Sequence, residues 1–339
     1  MPTDQAESIK VLSIDGGGIR GIIPAIILDA LQSRVGKKPH ETFDLIAGTS
    51  TGGIITVGIG TACNKGTCYS PLELVKLYAD NGPAIFRKRF LESVEELALP
   101  KYDVSGLEAV LLAFFADTQF STALTPLLVS SYDLQSQLPF FFKSHKIAAD
   151  PSYNWPVRQI ARATSAAPTY FVPLHLVRGN EDYALVDGGV FVNNPAMAAY
   201  VEARRLYPGA RNILVVSVGT GDRQDHITYD EAKHWGMVRW ATHIVPVLMD
   251  SVSEAVDYEM ESLPECTYFR LQVEDLPQQA ADMDNVSQEN IAGLQKIAQD
   301  YVAANAAKLN DIAALLKGGR GSNMPGIGPG PASAKGAPA

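Results

Sequence analysis

Three groups of residues in this chain combine type and spacing in ways that could do chemistry. The first is Gly48-Thr49-Ser50-Thr51-Gly52, which follows the apolar run Phe43–Ala47 and leads into Ile54-Ile55-Thr56-Val57. This is the sequence form of a nucleophile elbow: a sharp strand-to-helix turn that pushes a serine Oγ out of the sheet, with glycines where a Cβ would strike neighbouring backbone. The helix that follows would aim its free N–H groups at the same point. A plain Gly/Ser/Thr turn has the same letters, so the other groups must decide. The second is Asp15-Gly16-Gly17-Gly18-Ile19-Arg20-Gly21, whose glycines at 16, 18 and 21 match the dinucleotide fingerprint. The same exposed N–H groups could instead hold an oxyanion in a tetrahedral intermediate. The third is Asp187-Gly188-Gly189, where an apolar run delivers one carboxylate. An aspartate at a strand end is commonly a turn former, but beside an activated serine it is a candidate base.

A bound nucleotide would need an acidic residue at the end of the second strand to hold the ribose. Here Glu41 and Asp44 precede that strand, and its far end carries Gly48 and Ser50. Two neighbouring parallel strands thus place a glycine loop and a serine on one carboxyl edge, where open α/β sheets place ligands. Acyl transfer explains both motifs, and nucleotide binding explains one.

Other chemistry finds little support. No HExxH, EF-hand loop or Cys/His ligand pattern is present, and Asp282 with Asp284 lacks the glycine and glutamate of a calcium loop. Neither a metal nor a cofactor is expected. Cys63, Cys68 and Cys266 are an odd, sparse set without a signal peptide, which reads as reduced thiols in a cytoplasmic protein. A Ser–Asp–His triad would require a histidine after the acid. His226, His234 and His243 are available, each without a surrounding motif.

The elements that must position these residues can be read in order. Ile9–Asp15 forms a first strand, and Ile22–Leu28 an apolar helix with Pro24 in its tolerated first turn. Leu45–Gly48 is a second strand. Pro71–Asn81 reads as a helix ending before Gly82-Pro83, and Val104–Phe115 as another. Leu124–Asp133 and Phe140–Phe142 read as strands, with the triple phenylalanine in the core. Trp155–Ala167 has helical spacing and ends in the small residues Ala163–Pro168. Tyr183–Asp187 is a strand, Ala196–Arg205 a helix, Ile213–Gly219 a strongly apolar strand and Thr267–Gln272 an edge strand. Asn285 and Gln288 resemble a capping box that opens a helix running to Lys317. Strand and helix alternate without a linker, which predicts one α/β domain over residues 9–317. Residues 1–8 form an extension, and residues 318–339, rich in Gly, Pro and Ala, a flexible tail.

Over 339 residues the net charge is -9, which offers no electrostatic reason to bind nucleic acid or an anionic surface as a whole. No apolar run is long and clean enough to span a bilayer, so any lipid is met peripherally, at the surface of a membrane or micelle.

Taken together and in this order, Asp15–Gly21, Gly48–Gly52 and Asp187–Gly189 resemble the patatin-like phospholipase family. The segments Phe43–Ala47, Ala163–Pro168 with Tyr170-Phe171, and Asn193-Asn194-Pro195 are also similar to it, so the likeness covers about Ile9 to Tyr301. It implies a three-layer α/β/α sandwich with a mostly parallel central sheet. It also implies metal-independent hydrolysis of acyl esters in phospholipids and related lipids by a Ser–Asp dyad. On this resemblance Ser50 is the nucleophile, Asp187 its base, and the N–H groups of Gly17 and Gly18 the oxyanion hole. Arg20 supports that loop, and Asp15, Gly16, Gly21, Gly48, Gly52, Gly188 and Gly189 complete the motifs. Some bacterial members are gated by a bound nucleotide, and some plant members double as storage proteins. Head-group preference, acyl position and oligomeric state stay open. One physical demand follows: a carboxylate of pKa about 3.9 is a weak base, so Asp187 must be desolvated.

Overall fold

The computed structural model describes residues 8–63, 66–88, 99–223 and 227–318. The strands are β1 (Ser8–Ile14), β2 (Leu45–Gly48), β3 (Leu127–Asp133), β4 (Leu138–Lys143), β5 (Leu174–Arg178), β6 (Glu181–Asp187), β7 (Asn212–Val218) and β8 (Cys266–Leu271). The helices are α1 (Ile22–Val35), α2 (Pro39–Thr42), α3 (Thr51–Gly60), α4 (Pro71–Ile85), α5 (Val104–Phe115), α6 (Val157–Thr164), α7 (Ala196–Leu206), α8 (Tyr229–Ala232), α9 (Met237–Glu261), α10 (Gln278–Ala281), α11 (Gln288–Ala304) and α12 (Ala306–Lys317).

All eight strands join one sheet in the order β5-β6-β3-β2-β1-β7-β8, with β4 also on β3. Pairing is parallel from β3 through β8 and antiparallel for β3–β4, β3–β6 and β5–β6. The two-residue period of a strand sends alternate side chains to opposite faces, and the core divides accordingly. Leu12, Ile14, Leu214 and Val216 enter the larger apolar cluster with α1, α4, α5, α6, α11 and α12. Ile9, Val11, Ile213 and Val215 enter the smaller one with α7 and α9. Helices therefore cover both faces, giving the expected α/β/α layering.

The register explains where the functional loops emerge. Ile14 pairs with Gly48 on one side and Val218 on the other, so β1, β2 and β7 end at one level. The segments that follow, from Asp15, Thr49 and Gly219, leave the sheet side by side. β4 runs along one edge of β3 from Leu128 to Asp133, so β2 and β6 share the other edge. β2 occupies it as far as Val129, opposite Gly48, and β6 resumes at Ser131, opposite Asp187. The chain must leave β2 where β6 arrives from the opposite direction, and Ser50 and Asp187 meet in that notch.

Local details depart from the sequence reading in three places. α4 continues through Pro83 to Ile85 because the proline lies in the last turn, where one lost hydrogen bond is tolerated. Ser287, not Asn285, caps α11 by accepting from the Asn290 N–H, while Asn285 accepts from the Ser287 N–H. The helical run to Lys317 breaks at Asn305 into α11 and α12. The triple phenylalanine is core as expected, with Phe142 buried and Phe140 and Phe141 packed against opposite clusters. The chain before Ser8, the tail beyond Gly318 and His226 lie outside the described residues.

The notch is clasped by Thr49, which is fully buried. Its Oγ1 lies 2.7 Å from Ser130 Oγ of β3 and donates to the Val192 carbonyl at 2.7 Å. Thr49→Val keeps the shape and strands these partners, so stability should fall by about 2 kcal/mol. The check is a lower denaturant midpoint at unchanged slope; a midpoint equal to that of the parent protein would show that the clasp contributes nothing.

Candidate active site

Ser50 stands between β2 and α3 with φ 55° and ψ -123°, a region that a residue with a side chain enters only at a cost of about 1–3 kcal/mol. Its neighbours hold it there. The Ser50 N–H donates to Thr164 Oγ1 at 2.8 Å, and the Ser50 carbonyl accepts the Ile54 N–H at 3.1 Å. Gly52 packs so closely on the Ile14 and Asp15 carbonyls that a Cβ there would strike both. α3 is buried along all ten residues and directs its N-terminus at the serine. The turn lifts Ser50 out of the sheet but not into solvent: the residue is 7% exposed, under a roof of other elements.

Asp187 ends β6 with 0% exposure. Its Oδ2 accepts from Ser50 Oγ at 2.6 Å, its Oδ1 accepts from the Gly189 N–H at 2.8 Å, and its own N–H donates to the Ala166 carbonyl. Burial raises the carboxyl pKa to about 7, against the two hydrogen bonds, which favour the charged form. The desolvation that the sequence demanded is therefore present.

The glycine loop lies beside the serine. Gly16 packs against the Ser50 Cβ, and Gly18 lines the same cavity as Ser50 and Asp187. Gly16 donates its N–H to the Asn193 carbonyl and Ile19 to the Met283 carbonyl. Between them, the N–H groups of Gly17 and Gly18 have no partner among the described residues. Arg20, 4% exposed, donates from Nε and Nη1 to the Gly17 and Gly221 carbonyls, and Thr220 Oγ1 donates to the Gly16 carbonyl at 2.7 Å. The sequence reading placed Arg20 under this loop; it missed Thr164, Thr220 and Met283, whose contacts join residues 114 or more positions apart and carry no local signal.

Asp15 belongs to a buried ionic cluster. Arg270 Nη2 donates to Asp15 Oδ2 at 2.6 Å, and Arg270 Nε lies 2.9 Å from Asp257 Oδ2. Burial raises the Asp15 pKa to about 7, against the opposing pull of Arg270.

The cavity over Ser50 and Asp187 opens to solvent, with about 550 Å³ of empty space counted out through its mouth. Its walls are apolar, among them Ile54, Ile85, Phe86, Leu107 and Phe171, so it suits a hydrocarbon chain. None of the described histidines lines it. His234 is exposed, and His243 Nδ1 lies 2.8 Å from the Arg239 carbonyl. No group of three His, Cys, Asp or Glu among the described residues could hold a metal ion, and no described helix is long and apolar enough to cross a membrane.

Comparison with known proteins now adds a sequence-wide observation. A model of the patatin-like phospholipase family matches residues 12–200, more than half of the chain. The chain belongs to that family. It is 32% identical to Patatin-like protein 2 of Arabidopsis thaliana, with 91% of this chain and 86% of that protein aligned. It is 31% identical to Patatin group J-1 of Solanum tuberosum over 89% of this chain and 86% of the relative. A third relative, Probable inactive patatin-3-Kuras 1 of Solanum tuberosum, is 30% identical over 90% of this chain and 89% of its own length. That relative's name carries the words "probable inactive", so the residues around Ser50, rather than overall likeness, bear on activity. Membership carries lipid acyl hydrolysis in its broad sense and lipid as the substrate class.

The ionic cluster gives a stability prediction. Arg270→Met leaves Asp15 buried without its cation, so the variant should lose roughly 3–5 kcal/mol at pH 8. A buried carboxyl whose pKa is raised on folding is penalised only above its unfolded pKa, and the penalty grows until the folded pKa is passed. The loss should therefore shrink as pH falls from 8 towards 4. Denaturant titrations at both pH values test this, and equal stability of parent and variant at pH 8 would remove Asp15–Arg270 from the stabilising set.

Proposed function

We propose that this family member is a serine lipid acyl hydrolase of the phospholipase A or lysophospholipase type, working through a Ser50–Asp187 dyad. The observation that carries this reading is the 2.6 Å contact between Ser50 Oγ and a fully buried Asp187, which has no cation beside it among the described residues, at the head of an apolar cavity. Ser50 Oγ attacks the ester carbonyl while Asp187 Oδ2 takes its proton. The carbonyl oxygen becomes an oxyanion and turns to the N–H groups of Gly17 and Gly18, assisted by the positive end of α3. Collapse expels the alcohol, which recovers the proton from Asp187 and leaves Ser50 acylated. Water then attacks the acyl-enzyme, with Asp187 again as base, and releases the fatty acid. A carboxyl of pKa about 7 suits both proton transfers near neutral pH.

The strained serine turn fits an elbow, and the unpaired Gly17 and Gly18 N–H groups fit an oxyanion hole. The glycine fingerprint therefore needs no nucleotide. We further propose peripheral contact with a membrane or micelle surface, and one hydrolase domain spanning residues 9–317.

A fluorophosphonate should label Ser50 and inactivate the protein. Ser50→Ala should lower kcat by up to about 10⁶-fold and Asp187→Asn by roughly 10²–10⁴-fold. Since Asp187 works ionised, kcat/KM on a monomeric ester should fall below pH 7, by about tenfold per unit, and Asp187→Asn should abolish that limb. A histidine would titrate in the same range, so His226, His234 and His243 are each replaced by glutamine, and every variant should keep the parental limb. Loss of the limb in one of them, with the fold intact, would point to a triad. Activity on the same ester should also survive chelator, and a strict calcium requirement there would count against the dyad.

A further inference from the structure

Next to the apolar cavity lies a second, solvent-open one, with Tyr170, Met249 and Met283 as shared walls. Its polar residues are arranged by charge. Arg20 is buried, its Nε and Nη1 occupied by carbonyls, while Nη2 has no partner and no carboxylate pairs with it among the described residues. Arg223, half-buried, also lines this cavity and has neither an ion pair nor a side-chain hydrogen bond among them. Burial lowers the Arg20 pKa, Asp250 opposes that shift and Arg223 adds to it. Asp250 and Asp282 line the same cavity, are exposed, and form no ion pair or side-chain hydrogen bond among the described residues, although Asp250 feels both arginines through space. Asp284 is already committed to Lys101 at 2.5 Å and to the Tyr102 hydroxyl.

A buried guanidinium without a directly paired carboxylate is expensive, and Asp250 relieves Arg20 only through space, without an ion pair between them. Two cations inside and two carboxylates at the rim are jointly satisfied by a ligand that carries a negative group inward and a positive one outward. Arginine is the natural partner of a phosphate oxygen, and an exposed carboxylate of an ammonium.

We propose that this cavity is a headgroup subsite that selects zwitterionic glycerophospholipids, with the phosphodiester on Arg20 Nη2 and Arg223 and the cationic alcohol facing Asp250 and Asp282. The inference rests on the acyl-hydrolase reading, which puts the ester at Ser50 and the acyl chain in the neighbouring cavity. It also gives Arg20 two tasks. The guanidinium that holds the Gly17 carbonyl would contact the phosphate, so an occupied subsite braces the glycine loop. A lipid with an anionic outer group meets the acidic rim unfavourably, and a neutral diacylglycerol leaves both arginines unpaired.

The test uses monomeric dibutyryl phosphatidylcholine, phosphatidylglycerol and diacylglycerol, with p-nitrophenyl butyrate as an ester lacking a headgroup. The parent protein should prefer phosphatidylcholine to either other lipid by about tenfold or more in kcat/KM, the effect of one well-placed charge pair. Arg223→Gln should lower the ratio of phosphatidylcholine to p-nitrophenyl butyrate turnover by about tenfold. The double variant Asp250→Asn, Asp282→Asn should erase the preference over phosphatidylglycerol. Calorimetric titration of Ser50→Ala protein with glycerophosphocholine, which has no acyl chain, should show binding that Arg223→Gln removes. Equal rates on all three lipids, or an Arg223→Gln variant that slows every ester in step, would overturn the proposal. If no ester is hydrolysed at all, the acyl-hydrolase reading falls, and a glycerophosphocholine titration without heat then sinks the subsite on its own terms.

Discussion

Asp187 keeps its carboxylate in the protein interior with two hydrogen bonds and, among the described residues, no cation. Most buried carboxylates are paired with a positive charge, because desolvation disfavours the ionised form so strongly. Here it is only partly relieved, and the pKa rises to about 7. The neighbouring architecture follows from keeping this group dry and next to one hydroxyl. β2 ends at Gly48 so that β6 can bring Asp187 along the same edge of β3, and Thr49 ties that junction to Ser130. A cation in the pocket would stabilise the carboxylate and remove its basicity.

Asp15 makes the contrast within the same molecule. It is buried to a similar degree and its pKa is pushed to a similar value, yet Arg270 occupies one of its oxygens and, among the described residues, no serine hydrogen-bonds to it. A shifted pKa thus marks both aspartates, and only the geometry separates them. One anchors β1 to β8, and the other stands 2.6 Å from a strained serine. The Arg270 charge spent on Asp15 and Asp257 is also unavailable to the region around Ser50.

The sequence made some of this legible and hid the rest for a physical reason. Glycine at 16, 48 and 52 is a local statement about backbone that must come close to something, and all three glycines do sit where a Cβ would collide. The run Ala184-Leu185-Val186 before Asp187 announced its burial. Alternating apolar residues in β1 and β7 announced a sheet covered on both faces. What could not be read is which strands share an edge, because that depends on register between segments roughly 50 to 80 residues apart. For the same reason Thr164, which holds the Ser50 N–H from 114 residues away, looks like any threonine near a helix end. Pro83 misled for a simpler reason: a proline stops a helix only if further turns have to follow it.

The strain at Ser50 connects these layers. A positive φ on a serine persists only where surroundings over-determine it, and here four independent contacts do so: Thr164 at its N–H, Ile54 at its carbonyl, Gly52 against β1, and the Thr49 clasp. None of them touches Oγ. Among the described residues the hydroxyl is left with the carboxylate as its only hydrogen-bonding partner, so the energy that fixes the turn is kept apart from the groups proposed to react. The glycine loop repeats this arrangement. Gly16 and Ile19 spend their N–H groups on carbonyls of distant segments, Arg20 and Thr220 hold the carbonyls of Gly17 and Gly16, and the Gly17 and Gly18 donors remain unspent. In both loops distant segments hold the groups named above, while the Gly17 and Gly18 donors and the Asp187 carboxylate are left beside the cavity, and an unsaturated buried donor or base costs stability unless a ligand completes it. That cost is the physical reason to expect the reacting ester in this cavity, independently of any family resemblance.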